Sequence, residues 1–270
     1  MLIYCNDVEQ NPTYEFVPYK YGGFSFTCYD DKRRLIDQGL LENDERVWKL
    51  TTTGRKAYQL AWTTRVRMDA FAKQHTKLRG DALVAETYRR YPYYAIRSEI
   101  AERVLAGDSL ALLAINASKP ALSKKRIATI GYEGRTLESY LNRLLQAGVT
   151  LLCDVRRNAF SRKYGFSKRT LQKAAEGVGI HYEHCPELGV PSADRQALKT
   201  KAAYDALFER YERDMLPDQV PSLEKIKEWV EGGHVVALTC FESLPEECHR
   251  HCVANELARR WGSGFAPKHL

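Results

Sequence analysis

Long apolar runs are missing from this sequence of 270 residues. No stretch approaches the roughly 20 consecutive apolar residues that a membrane-spanning helix needs. The opening residues, "MLIYCNDVEQNP", lack both a basic leader and a long apolar segment, so we expect no secretion signal. These absences argue against a membrane protein and predict a cytoplasmic one.

The cysteine spacings of zinc fingers and of disulfide-rich domains are missing as well. The chain contains seven cysteines, an odd number, and no two of them are spaced as Cys-x-x-Cys. Without a secretion signal, such a count is typical of a reducing cytosol rather than of a disulfide framework. Internal repeats and low-complexity tracts are also absent from the sequence.

The charge balance is mildly basic. The net charge is +7, from 41 basic and 34 acidic side chains, and most of the excess lies in the first half of the chain. An excess of this sign suits a nucleic-acid partner.

One small, polar and basic stretch separates two parts of the chain with different patterns. It is "NASKPALSKKR", residues 116–126, and it contains Pro120, which is typical of a linker. Before it we predict a small winged helix-turn-helix over residues 1–60 and a helical connector over residues 61–118. After it, strands alternate with helices over residues 126–270, which predicts an α/β domain with a mainly parallel sheet flanked by helices.

The predicted winged helix depends on two stretches. In "FSFTCYDDKRRLIDQGLLEN" we expect a helix that ends at Gly39. In "ERVWKLTTTGRKAYQL" we expect a short wing strand through Val47 and Leu50, and then a helix capped by one of Thr51 to Thr53. The order resembles prokaryotic winged-helix modules, and this resemblance implies binding to DNA or, alternatively, to protein. The candidate DNA-phosphate contacts are Lys32, Arg33 and Arg34.

Reactive side chains follow four predicted strands of the second part. In a parallel sheet the carboxyl ends of the strands meet at one edge, so we expect these side chains to form one site. They include Tyr132, Arg156, Arg157, Arg162, His184, Glu187, Cys240, Glu242, Cys248, His249 and Arg250.

These stretches are similar to the family called domain of unknown function 488. The similar pieces are "TIGYEGRTLESYLNRLLQAGV", "LLCDVRRNAFSRKYGFSKRTL", "IHYEHCPELG" and "ALTCFESLPEECHR", within residues 127 to about 260. The proline that the family usually has in the second piece is Ala159 here. The resemblance implies an α/β fold, a site at the strand ends and a loose association with nucleic-acid metabolism.

The stretch "CFESLPEECHRHC" has three interpretations. It could provide zinc ligands from Cys240, Cys248 and Cys252, together with Cys185 or His184. It could be catalytic, with Cys248 or Cys240 as nucleophile or Glu242 as general acid/base. In that case Pro245 would begin a helix whose positive end, with His249 and Arg250, lowers the pKa of Cys248. It could also be a structural helix with inert buried thiols.

The stretch "RRNAFSRKYGFSKRTLQK" contains seven basic residues and no acidic one. Arg156 and Arg162 are candidates for phosphate binding, and Phe160, Tyr164 and Phe166 are candidates for base stacking. The alternative is a solvated loop whose aromatic rings pack in the core. We expect Asp154 to pair with an arginine of this loop, because an isolated buried carboxylate is costly.

The sequence thus predicts a nucleic-acid-associated protein with an enzymatic α/β domain that acts on a nucleotide or nucleic-acid group. Arg156, Arg157, Arg162, Tyr132, His184, Glu187 and Arg250 would bind the substrate. Cys248, Glu242, His249 and Cys240 would carry the chemistry, without a cofactor or a metal. The alternative is a DNA-binding regulator whose α/β domain senses a small anionic ligand or an oxidant.

Overall fold

A computed structural model describes residues 1–9, 11–44, 47–121, 126–191, 194 and 200–270. The chain divides into two units, Met1–Lys119 and Pro120–Leu270. Of the predicted linker, residues 122–125 lie outside the described residues, and Asn116 and Ala117 end the last helix of the first unit.

Helices surround a β-hairpin in the first unit. The hairpin strands are β1 (Val17–Tyr19) and β2 (Gly22–Phe24), and the helices are α1 (Leu2–Asp7), α2 (Phe26–Asp37), α3 (Thr52–Ala57), α4 (Trp62–His75), α5 (Gly80–Arg90), α6 (Ala101–Val104) and α7 (Ser109–Ala117). Tyr88 of α5 packs so closely on the hairpin that a Cβ at Gly22 would lie 2.8 Å from its ring. The helical segment after residue 60 therefore packs directly on the hairpin.

The region of the predicted winged helix has some of the expected elements. Helix α2 ends just before Gly39, whose φ is +68°, and the Thr51 hydroxyl caps α3 by accepting the N–H of Gly54 at 2.9 Å. Within the described residues 47–50, Leu50 forms a single β-bridge with Leu41, and the carbonyl of Lys49 accepts the N–H of Glu42 at 2.8 Å. Glu45 and Arg46 of this stretch lie outside the described residues. The wing strand expected here is therefore reduced to one bridge.

Five parallel strands form the sheet of the second unit, in the order β5-β4-β6-β3-β7. They are β3 (Ile127–Gly131), β4 (Leu151–Asp154), β5 (His181–His184), β6 (Val236–Cys240) and β7 (Lys268–His269). The flanking helices are α8 (Leu137–Gln146), α9 (Lys168–Gly177), α10 (Lys201–Arg210), α11 (Val220–Glu231) and α12 (Arg250–Trp261). The prediction of an α/β fold with a parallel sheet flanked by helices is confirmed.

Strands β3, β4 and β6 are buried along their whole length. Runs of this kind are typical of parallel strands covered on both faces. Alternate residues such as Cys153, Leu238 and Cys240 join one hydrophobic cluster with residues of α11 and α12. On α8, the Tyr140 hydroxyl donates to Thr239 of β6 at 2.7 Å, which fixes this helix to the sheet.

Local signals set the helix ends of this unit. The Thr136 hydroxyl accepts the N–H of Ser139, and Gly148 follows α8 with a φ of +70°. Pro245 opens a short 3-10 helix, Pro245–Glu247, and α12 begins five residues after the proline, later than predicted. No helix in the described part of the chain is long and apolar enough to cross a membrane.

Candidate active site at the carboxyl edge of the sheet

The carboxyl ends of β3, β4 and β6 surround a cavity of about 200 Å³, which we call the rim pocket. Its lining residues are Tyr132, Arg156, Arg157, Asn158, Phe160, Val190, Cys240, Phe241 and Glu242. Five of the side chains predicted from the sequence therefore meet in one cavity. Their convergence follows from the parallel sheet, because each of them comes within three residues of a strand end.

Arg156 forms a buried ion pair with Asp154, as predicted for this carboxylate. Its Nε and Nη2 donate to the two carboxylate oxygens at 2.8 and 2.5 Å, and its Nη1 donates to the Tyr132 hydroxyl and the Phe166 carbonyl. Burial lowers the pKa of Arg156, but the hydrogen bonds and charge of Asp154 outweigh it and raise the pKa. Arg156 thus holds the loop in place. Its guanidinium binds the carboxylate of Asp154 rather than the phosphate proposed from the sequence.

The aromatic rings of this loop have different roles. Phe166 is fully buried and stacks on Tyr132, with ring centroids 4.4 Å apart. Phe160 is 70% exposed at the mouth of the rim pocket, and Tyr164 is 36% exposed. Phe166 is therefore a core residue and cannot stack on a base, whereas Phe160 remains available for that contact.

Arg157 is exposed and lines a second cavity of about 510 Å³ in addition to the rim pocket. We call this second cavity the α9 pocket, and its lining residues are Arg157, Asn158, Ala159, Phe160, Ser167, Lys168, Arg169, Thr170 and His184. It includes the first turn of α9, where backbone N–H groups and the helix dipole favour anions. Three cationic side chains and a helix N-terminus thus face one cavity.

Gly189 brings the loop after β5 against Arg157. A Cβ at Gly189 would lie 2.1 Å from the backbone nitrogen of Arg157. Any larger residue would therefore push the two segments apart, which explains the glycine of the "PELG" motif.

Glu242 is half-buried in the rim pocket, and two contacts fix its position. Its backbone carbonyl lies so close to Gly131 that a Cβ there would be 1.8 Å away, and the same carbonyl accepts a hydrogen bond from Arg250 Nη1 at 2.5 Å. The Cys240 thiol donates to Glu242 Oε2 at 3.5 Å. Arg250 is almost fully buried, so it positions this loop rather than contacting a substrate.

Cys248 and His249 lie in the core next to Cys240 and do not occur among the described residues that line the rim pocket. Burial, followed by hydrogen bonding to Cys240, raises the pKa of the Cys248 thiol well above its usual value. The lowered pKa expected at a helix N-terminus is wrong here, because Cys248 precedes α12 and is desolvated. The predicted role of Cys248 as nucleophile is therefore not supported by the geometry.

The other thiols of the zinc interpretation lie in different surroundings. The Cys252 thiol lies 3.5 Å from His251 Nε2, and these two residues form a separate cluster with Glu212. Cys185 shares a hydrogen bond with Cys153, which raises the pKa of the Cys153 thiol. Cys252 and Cys185 therefore do not join Cys240 and Cys248 in the single zinc site that the sequence suggested.

Three further predicted residues lie around the site. His184 lines the α9 pocket and has two contacts, Arg156 O at 2.9 Å and Lys168 Nζ at 3.1 Å. Arg162 and Glu187 are exposed, and neither occurs among the described lining residues of the two pockets.

The cations predicted to contact DNA are partly neutralised. Lys32 is 6% exposed, donates to the carbonyl of Asp44 at 2.8 Å and lies over the ring of Trp48. Arg33 and Arg34 both pair with Asp30. Lys32 is therefore a structural residue and not the phosphate contact expected from the sequence.

Asn158, Lys168 and Arg169 were not singled out from the sequence. The available signal was the position of Ser167, the first residue of the predicted helix, directly after the basic loop. A larger cavity of about 710 Å³ occurs in the first unit, but its described lining is dominated by aromatic and aliphatic side chains. The rim pocket is the candidate active site, because it joins a carboxylate, a thiol and the exposed guanidinium of Arg157.

The comparisons support the resemblance of the second unit. A family model described as domain of unknown function DUF488 matches residues 136–257, which include every described lining residue of the rim pocket except Tyr132. Neither the comparison with curated proteins nor the comparison with solved structures gives a significant match.

Proposed function

We propose that the second unit is an enzyme domain that binds a phosphate-bearing nucleotide or nucleic-acid group and acts on it by acid/base catalysis with Glu242. The observation that carries this proposal is the shared lining of the two pockets. Arg157, Asn158 and Phe160 line both cavities, so a phosphate in one and a sugar or base in the other would contact the same three side chains.

The charges favour an anionic ligand. Arg157, Lys168 and Arg169 supply positive charge, and the N-terminus of α9 adds its partial positive charge. The exposed ring of Phe160 offers a surface on which a base can stack. A cavity of about 510 Å³ lies within the range of roughly 300–1,000 Å³ usual for small-ligand sites.

Glu242 is the group best placed for proton transfer. It is half-buried, lines the rim pocket and accepts a hydrogen bond from Cys240, so its carboxylate is oriented toward a bound group. The adjacent positive charge of Arg157 would hold the phosphate while Glu242 takes or donates a proton. Cys240 acts by orienting Glu242, because the thiol itself is buried.

The test combines binding and turnover. ADP binding by calorimetry and turnover of a panel of nucleotides and short oligonucleotides are measured for the full chain and its variants. We expect Arg157→Met to weaken binding by at least ~10-fold, since it removes a charged hydrogen bond worth roughly 1.5–3 kcal/mol. We expect Glu242→Gln to retain binding and to lower turnover by about 10²–10⁴-fold.

The matched control is Arg162→Met, which removes an exposed arginine of the same loop that does not line the described pockets. Equal losses of ADP affinity in Arg157→Met and Arg162→Met would contradict specific binding in the pocket that Arg157 lines. Full turnover by Glu242→Gln would contradict its catalytic role.

A second function, DNA binding by the first unit, is supported by a basic surface. Residues 51–79 carry seven basic side chains and one acidic one, and all seven basic side chains are exposed. The order of α2, the Gly39 turn, the Leu41–Leu50 bridge and α3 is compatible with a winged helix. The seven basic residues are Arg55, Lys56, Arg65, Arg67, Lys73, Lys77 and Arg79.

Fluorescence anisotropy with a labelled DNA duplex over a salt series tests this function. Alanine at Arg65, Arg67 and Lys73 should weaken binding to every sequence and reduce the salt slope by about one per lost phosphate contact. An unchanged slope would contradict the proposal. If ADP changes the DNA affinity of the full chain without any turnover, the alternative function as a ligand-sensing regulator is favoured over the enzyme.

A further inference from the structure

Three metal-binding atoms meet behind the rim pocket. Cys240 Sγ, Cys248 Sγ and one ring nitrogen of His249 lie within 4.8 Å of one another. Each of these residues is 1% exposed or less. They come from the end of β6 and from the turn before α12, so the sheet and the helix together hold the arrangement.

The orientation of His249 suits a metal ligand. Its Nε2 lies 2.9 Å from the carbonyl oxygen of Val155, and a carbonyl can only accept, so Nε2 carries the proton. In the neutral ring Nδ1 then carries the lone pair, and it lies 3.8 Å from Cys240 Sγ. A histidine that ligates a metal typically donates its other N–H to a carbonyl or a carboxylate in this way.

The distances suit zinc in particular. With zinc–sulfur and zinc–nitrogen bonds of about 2.3 and 2.0–2.1 Å, neighbouring ligands of a tetrahedral site lie about 3.6 Å apart. The 3.8 Å between Cys240 Sγ and His249 Nδ1 is close to that value. Glu242 Oε2 lies 3.5 Å from Cys240 Sγ, on the side of the rim pocket, but it does not belong to the set of ligand atoms that lie within 4.8 Å of one another. The site is therefore built from Cys240, Cys248 and His249.

The charge of Arg250 fits the same interpretation. Its guanidinium is 1% exposed and donates to the carbonyls of Glu242 and Ser243. Among the described residues, its Nε is a buried side-chain nitrogen without a hydrogen-bond partner. A buried cation is stabilised by nearby negative charge. Two thiolates neutralise the dication, so zinc binding adds no net positive charge beside Arg250.

We infer that Cys240, Cys248 and His249 bind a zinc ion through two thiolates and one imidazole. Binding releases one proton from each thiol, and the two sulfur–zinc bonds replace two S–H bonds. The ion would lie at the base of the rim pocket. The inference rests on the geometry of these three residues and not on the proposed function, but zinc binding would remove the thiol proton with which Cys240 orients Glu242.

A second cluster, Glu212, His251 and Cys252, is the nearest competitor. It offers one thiol, and Glu212 is exposed. Because zinc prefers thiolate and imidazole ligands, the pair of thiols at Cys240 and Cys248 makes the first cluster the stronger site.

Cobalt titration of the chelator-treated, reduced full chain tests the inference. Co²⁺ replaces Zn²⁺ at tetrahedral sites and gives a thiolate-to-metal absorption band. We expect one equivalent to bind, and zinc to displace it. We expect Cys248→Ala and His249→Gln to weaken binding by more than the roughly 10–100-fold caused by losing an outer-shell partner.

Cys153→Ala and Cys252→Ala are the matched controls, because each removes a buried thiol outside the site. We expect both to retain the band. Absence of the band in the unsubstituted chain would overturn the inference, and so would a band that Cys252→Ala abolishes and Cys248→Ala retains. If Cys248→Ala does not fold by circular dichroism, the unsubstituted chain and His249→Gln still decide the question: a band of unchanged strength and affinity in His249→Gln would overturn the inference.

Discussion

Asp154 and Arg156, two residues apart at the end of β4, form an ion pair in which the side chains are 0% and 5% exposed. The pair is further satisfied by the hydroxyl of Tyr182, which donates to Asp154 at 2.7 Å. Burial and the charge of Asp154 raise the pKa of Tyr182. The network joins β4 and β5 to the loop that carries Arg157, so the geometry of the candidate site depends on it.

Asp154→Asn should destabilise the fold strongly. Arg156 would keep its charge in a buried place without a carboxylate, and breaking such a pair costs about 3–5 kcal/mol. Urea unfolding measures this loss of free energy. The control is Asp205→Asn, which breaks an exposed pair with Lys201 and should cost only ~0–1 kcal/mol. Equal costs for the two variants would refute the assigned role of Asp154.

Gly131→Ala and Gly189→Ala should distort the site. The added Cβ atoms would lie 1.8 Å from Glu242 O and 2.1 Å from Arg157 N, so the backbone must move. We expect each variant to lose about 1–3 kcal/mol of stability, as for overpacked positions, and to bind ADP more weakly. Gly264→Ala is the control, because among the described residues no heavy atom outside its chain neighbours lies within 4 Å of its added Cβ. Thermal unfolding and calorimetry check both effects.

Tyr140→Phe should lower stability by about 1–2 kcal/mol, because it removes the buried hydrogen bond to Thr239. The ring itself remains, so packing of α8 on the sheet changes little. The double variant Tyr140→Phe with Thr239→Val should recover part of the loss, since neither partner is then unsatisfied. Urea unfolding of the single and double variants measures the coupling, and strict additivity would argue against a direct interaction.

The stability of the second unit should fall in acid partly through Glu256. Hydrogen bonds from Arg259, and then from Arg260, lower the pKa of this carboxyl, while its partial burial opposes them. A lowered pKa stabilises the folded state above the ordinary glutamate pKa of about 4.3, and this contribution is lost as the pH falls through the folded-state value. Glu256→Gln should therefore be less stable than the unsubstituted chain at pH 7, with a difference that disappears at low pH.

Urea unfolding between pH 2.5 and 7 checks this dependence. Glu224→Gln, at an exposed position of α11, is the control and should give a smaller difference across the series. A difference for Glu256→Gln that stays constant with pH would show that the carboxylate charge does not contribute.

Much of the second unit was predictable because its signals are local. Apolar runs and helix caps such as Thr136 specify β3, α8, β4 and α9 within a few residues. The parallel arrangement then places the carboxyl ends of the strands at one edge of the sheet. The first unit was harder, because the exposed side chains of Val47 and Trp48 carry little periodic signal, and only a single bridge forms there.

The sequence by itself determined the α/β character of residues 126–270, the capped helices and the set of polar residues that follow the strands. Only the tertiary structure decided which of those residues are buried and which face a cavity. Arg156 and Arg157 are adjacent and chemically identical, yet one pairs with Asp154 in the core and the other lines both pockets. Likewise, Cys248 and His249 meet Cys240 because the segment between β6 and α12 folds back onto the end of β6. Burial and long-range contact decide these roles, and neither is encoded in the spacing of a few neighbouring residues.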